Sequence, residues 1–143
     1  MPTPTRRLLA VALLWPLAAA ASAAEYPGPY TATVTRVVDG DTVHVRVRLW
    51  PGLEYAGPLR VAGVDTPELR ARHTCERQLA AAARDYVARR LSAAATIQLH
   101  QVSLDKYGRA LATVRVAGHD LADELIRLGL GRRYQGGRRA AWC

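Results

Sequence analysis

The chain contains no phenylalanine, and only 6% of its 143 residues are aromatic. A recognition face made of rows of stacked rings is therefore poorly supplied. Cysteine is scarce as well: Cys75 and Cys143 stand alone, with no Cys-x-x-Cys. His44, His73, His100 and His119 show no zinc-like spacing, so neither a structural zinc site nor a dithiol motif has support. Acids are short of bases, 12 against 20, for a formal charge of +8. That excess suits polyanionic partners, though a merely solvated basic surface would meet it too. Lys106 is the only lysine, so the positive charge is almost all arginine, the better fork for phosphate. No internal repeat and no second domain can be discerned.

The one long apolar run, Leu8 to Ala20, is too short to be a convincing membrane span. Arg6 and Arg7 precede it and Ala21-Ser22-Ala23-Ala24 follow, the layout of a secretory signal peptide over residues 1–24. A retained N-terminal anchor is the alternative, and Thr5-Arg6-Arg7 matches a twin-arginine signal poorly. The expectation is bacterial export to the periplasm or beyond, with no stable membrane association after cleavage. Residues 25–143 are then one small domain with apolar residues for a single core. Losing Arg6 and Arg7 lowers the charge of +8 by two, to +6. An even cysteine count in an exported chain reads as one disulfide, Cys75 to Cys143. Closing so long a loop stabilises by roughly 4 kcal/mol in the chain-entropy model.

Tyr30 to Val38, rich in Thr and Val, predicts a strand, and Asp39-Gly40 a hairpin turn. Val43, Val45, Val47 and Leu49 alternate with His44, Arg46 and Arg48, a half-buried second strand. Trp50-Pro51-Gly52 opens a predicted loop to about Gly57, and a third strand starts near Leu59. Leu79, Ala82, Ala83, Tyr86, Val87 and Leu91 recur at helical spacing, with Thr74 as the expected N-cap. Ile97 and Leu99, then Val114 and Val116, mark two more strands around a turn at residues 105–109. A second helix is predicted from an Asp120 N-cap, through Leu121, Leu125 and Leu128, to a stop at Gly129. Five short strands with two interposed helices predict a mostly β protein with helices (α+β by count), a five-stranded OB-type barrel.

The residues with most chemistry lie in Leu59 to Glu68, where Arg60, Asp65, Thr66 and Glu68 crowd around a Pro turn. One carboxylate can hold a hard cation, the other can position or deprotonate a water, and the Arg can grip an anion. Read alone, the stretch is equally a strand with an exposed salt bridge. Asp41 alone is a turn-flanking acid, and Arg109 alone a solvated turn residue.

Together, however, Val-Val-Asp-Gly-Asp-Thr-Val (37–43), Arg-x-x-x-x-Asp-Thr-Pro-Glu (60–68) and Asp-Lys-Tyr-Gly-Arg (105–109) resemble three signature segments of the staphylococcal-nuclease-like (thermonuclease) family. They occur in the same order, at suitable spacing. The tail Tyr-x-Gly-Gly-x-Arg-x-x-Trp-Cys, from Tyr134, resembles a compact exported bacterial form with a shortened C-terminal region. The resemblance implies an OB-fold, calcium-dependent endonuclease acting on DNA and/or RNA, a monomer with no protein partner implied. By position it makes Asp41, Asp65 and the Thr66 carbonyl ligands of Ca2+, a weak site with only two carboxylates. It makes Glu68 the activator of the attacking water and Arg60 and Arg109 the phosphate ligands. Lys106, Tyr107 and Tyr134 fall near the bound nucleotide. The alternative is a non-catalytic OB-fold nucleic-acid-binding module. That module predicts missing acids or arginines at these positions and more stacking aromatics; neither is found. An exported interaction or oligosaccharide-binding domain would not explain why acids and arginines recur at these spacings.

Overall fold

The computed structural model describes residues 24–143; the predicted signal segment, apart from Ala24, lies outside the described residues. β1 (Tyr30–Val37), β2 (Thr42–Trp50) and β3 (Leu53–Val61) form an antiparallel meander. The two-residue β4 (Val64–Asp65) and the helix α1 (Thr74–Ser92) follow. Next come β5 (Ile97–Leu104), β6 (Ala110–Val116) and β7 (His119–Asp120), then α2 (Leu121–Arg127) and β8 (Arg132–Arg133). β5 pairs with both β1 and β6, and β6 runs parallel to β3 with Leu59 opposite Ala110 and Val61 opposite Ala112. That parallel pairing closes the five long strands into a barrel, the OB-type architecture with two helices expected from the sequence. Among the described residues no helix is long and apolar enough to cross a membrane.

The period-two pattern decides what fills the barrel. Val43, Val45 and Val47 from β2 meet Leu59 and Val61, Ile97 and Leu99, and Ala112, Val114 and Val116, all buried. Without phenylalanine, this interior is built almost wholly from branched aliphatic and alanine side chains. α1 lays Ala80, Ala83, Val87 and Leu91 inward. Its small residues let the β1–β2 turn come close: a Cβ on Gly40 would sit 2.8 Å from Ala83 Cβ and 2.8 Å from Thr66 Cγ2. Gly40 thus presses the Asp41 turn against the Thr66 segment, where a larger residue would force them apart.

α1 and α2 are tied by a buried polar group. The Arg90 guanidinium donates from Nε to Glu124 Oε2 at 3.0 Å and from Nη2 to Oε1 at 3.0 Å. Tyr86 Oη donates to the same carboxylate at 2.9 Å, and Arg90 Nη2 also reaches the Val116 carbonyl at 2.9 Å. Arg90 hydrogen bonding leads the effects that hold Glu124 below the usual glutamate range. Asp120 caps α2 as expected, accepting from the Ala122 and Asp123 amides, and Gly129 lies just past the Leu128 C-cap. The Cys75–Cys143 disulfide is formed and ties the first turn of α1 to the last residue.

Two boundaries differ from the sequence reading. β3 begins at Leu53, where a loop to Gly57 was expected, because Trp50-Pro51-Gly52 turns tightly enough to keep Arg48 opposite Glu54 and Val47 opposite Tyr55. This half of β3 lies on the barrel's outer rim and is largely exposed, so it carries no apolar alternation. The α1 N-cap is His73, not Thr74, and it makes no side-chain cap bond. Arg77 secures the helix start instead. It donates to the Ala71 and Arg72 carbonyls and to Thr74 Oγ1, tying down the chain that enters the helix.

Candidate active site

The barrel's pairing brings Thr42 opposite Arg60, and that register places the Asp41 turn beside the end of β3. Asp41, Arg60, Asp65 and Thr66 are all buried. Arg60 Nη1 lies 2.6 Å from Asp41 Oδ1, and Nη2 is 3.6 Å from Asp65 Oδ1. Thr66 donates twice to Asp41 Oδ2, from its amide and from its hydroxyl, each at 2.9 Å. Thr42 Oγ1 donates to the other Asp41 oxygen at 3.1 Å. The Asp41 carbonyl accepts the Val61 amide at 2.8 Å, locking turn to strand. A turn acid and a strand arginine, read from the sequence as separate clusters, are one buried group.

Negative charge accumulates around this group. Burial raises the Asp65 carboxyl above the usual aspartate range; Asp41 and Glu68 add to the rise, while Arg139 and Arg60 oppose it. Burial, with the Asp41 charge beside it, pushes Asp39 up to about 6. Asp65 Oδ1 is buried with no hydrogen bond of acceptable geometry, although two guanidinium groups lie near it. Among the described residues no three His, Cys, Asp or Glu side chains form a complete metal cage. Crowded hard oxygens, among them a buried carboxylate oxygen held by ion pairs and not by hydrogen bonds, nevertheless fit a hard divalent cation whose remaining ligands come from water or substrate. Asp41 and Asp65 would hold it, with an oxygen of Thr66.

Beside this group opens a cavity of about 1060 Å³. Arg60 and Glu68 reach it from one side, and Arg109, Lys106 and Tyr107 from the β5–β6 turn. Tyr134 and Arg139 line it from the tail. The turn is organised by Asp105, whose Oδ1 accepts the Tyr107 and Arg109 amides at 2.8 and 2.9 Å. Its Oδ2 accepts Arg109 Nε at 2.7 Å. Burial alone would raise Asp105, but these donors outweigh it and hold the carboxyl below its ordinary range. Arg109 lines the cavity with its Nε engaged by Asp105 and its guanidinium carbon 5.5 Å from the Tyr107 ring centroid, which holds in place a group able to bind an anion. Lys106 Nζ lies 5.0 Å from the Tyr107 ring centroid, and the exposed ring stands at the rim. Tyr134 is turned inward on the tail, its Oη donating to the Gly137 carbonyl at 2.9 Å.

The sequence reading did not single out Arg139. Its Nη2 lies 2.8 Å from Asp65 Oδ1, and its Nη1 contacts Glu68 Oε1. The signal lay in the tail: Gly136 and Gly137 both adopt positive φ, 97° and 91°, which turns the chain back, and Cys143 anchors its end. Asp105 was likewise seen only as a turn residue, although it aims Arg109.

A small closed barrel brings arginines and carboxylates to one cleft, side-chain chemistry suited to a phosphate group. The family model described as staphylococcal nuclease homologue matches residues 58–141, more than half of the chain. The chain belongs to that nuclease family. The matched span includes Arg60, Asp65, Thr66, Glu68 and Arg109, while Asp41 precedes it. Comparison with curated proteins yields no significant match.

Proposed function

We propose that this protein is an exported endonuclease that hydrolyses phosphodiester bonds of DNA and/or RNA with calcium as its metal. The observation that carries the reading is the meeting of Arg60, Arg109 and Glu68 at one cavity, beside the buried Asp41–Asp65 pair. Membership of a nuclease family supports it. Export rests on the signal-like segment alone, and a monomer without protein partners is part of the same reading.

Phosphodiester hydrolysis needs a placed water and positive charge around the phosphoryl oxygens. Arg109 in the β5–β6 turn, aimed by Asp105, and Arg60 on β3, held by Asp41, grip those oxygens from different sides. Glu68, with its side chain half exposed at the cavity, takes a proton from the attacking water. The water oxygen bonds to phosphorus, the P–O ester bond breaks, and the departing oxygen takes a proton from solvent. A bound calcium ion would add Lewis-acid charge at the phosphate. Lys106, Tyr107 and Tyr134 flank the same cavity and hold the neighbouring nucleotide.

The test uses the mature, oxidised domain on single-stranded DNA and RNA with calcium, magnesium or EDTA, and Arg109→Ala as control. Cleavage with calcium that is lost in EDTA and in the variant is the expected result. Salt-sensitive binding without cleavage would instead support a nucleic-acid-binding OB module.

A further inference from the structure

The tail is fastened at several points, and together they aim one side chain. β8 pairs with β4, placing Arg132 opposite Asp65 and Arg133 opposite Val64. The Tyr134 amide donates to the Gly63 carbonyl at 3.1 Å. Arg132 Nη1 donates to the Ala141 carbonyl at 2.8 Å, and its guanidinium lies 4.0 Å from the Trp142 ring centroid. Cys143 is bonded to Cys75. Between these anchors Gly136 and Gly137 reverse the chain, and Arg139 enters the cleft to bridge Asp65 and Glu68.

Arg139 therefore occupies two carboxylates that catalysis needs for other purposes. Asp65 is a candidate cation ligand, and Glu68 can accept a proton from water only when its oxygen is free. Arg60 differs in its partners: it pairs chiefly with Asp41, 2.6 Å against 3.6 Å for Asp65, and among the described residues it makes no ion pair with Glu68. Arg139 is also the more movable of the two, with a side chain 41% exposed against 8% for Arg60.

We infer that Arg139 is a built-in counter-cation of the Asp65–Glu68 pair, which a divalent metal ion must displace before the site is competent. The tail thus sets the calcium affinity: it neutralises the carboxylates without metal and releases them when metal binds. This rests on the metal-dependent reading above. Arg139 is a positioning residue, acting through Asp65 and Glu68.

Calorimetric calcium titration of the full mature domain tests it without reference to cleavage. Arg139→Gln should bind calcium about tenfold more tightly than wild type, the scale of two partly exposed ion pairs that no longer compete. Arg138→Gln removes the same charge one residue away, where no ion pair is made among the described residues, and should change the affinity less than about twofold. A purely structural tail arginine predicts equal or weaker calcium binding in Arg139→Gln, and that result would overturn the inference. An equal gain in both variants would reduce the effect to net charge and overturn it too. Calcium binding by neither wild type nor variant would instead remove the metal reading, and the inference with it. Should Arg139→Gln fail to fold, the Arg139 Nε–H resonance of wild type decides. It should shift with calcium at the calorimetric affinity, and an unmoved resonance would refute displacement.

Discussion

Arg60 Nη1 lies 2.6 Å from Asp41 Oδ1, and both side chains are almost wholly buried. A buried charge pair of this kind does not by itself add much stability, but removing one partner leaves the other charge uncompensated. Asp41→Ala should therefore lower unfolding stability by about 3 kcal/mol in urea denaturation without metal. It should also weaken the calcium dependence of cleavage. An unchanged calcium titration would count against the ligand role, whatever the stability.

Glu68 lies outside that buried pair, so its replacement separates chemistry from folding. Glu68→Gln should reduce turnover by about 100-fold or more, the usual worth of a positioned base. Its circular dichroism and melting should stay near those of wild type. Near-normal turnover would remove Glu68 from the mechanism.

Arg109 depends on Asp105 for its aim. Arg109→Ala should cost about 100-fold to 1000-fold in turnover, as for loss of a preorganised donor to the transition state. Asp105→Asn keeps the fork but loosens it, and should show a smaller loss of the same kind. Equal activity of Asp105→Asn and wild type under single-turnover conditions would mean that Arg109 needs no such support.

Glu124 makes the fold sensitive to acid. Its carboxyl is held below its ordinary value by Arg90 and Tyr86, so the folded state favours the ionised form. That stability is fully present above pH 4.5, the ordinary value, and is lost as pH falls through the depressed folded-state value. Glu124→Gln should flatten this part of the pH–stability curve and lower stability at pH 7. A wild-type acid limb retained in the variant would assign it to other carboxylates.

The disulfide spans 68 residues, so opening it releases much chain entropy in the unfolded state. Reduction, or the Cys75→Ser and Cys143→Ser double variant, should destabilise by about 4 kcal/mol in the chain-entropy model. The unfolding midpoint with and without reductant measures it.

Much of this was readable in one dimension. The period-two run of Val43, Val45 and Val47, the Asp39-Gly40 turn and the Asp120 cap depend on neighbours in sequence, and each reads correctly. The residue types of the three motif segments are local too, which is why the family and the barrel were legible. The outer half of β3 was not, because its strand is made by pairing with β2 and not by burial.

What the sequence determined was the inventory: the five long strands and two helices in outline, though not the short β4, β7 and β8, which acids and arginines are present, and that the two cysteines can pair. Only the tertiary structure decided which of them meet. Asp41 and Arg60 are 19 residues apart, and Glu68 and Arg139 are 71 apart. Their contacts come from the register of β2 on β3, the turn at Gly136–Gly137 and the anchored last residue. Side-chain type is a property of each position, whereas charge pairing across such distances exists only once the barrel has closed and the chain entropy of closing it has been met.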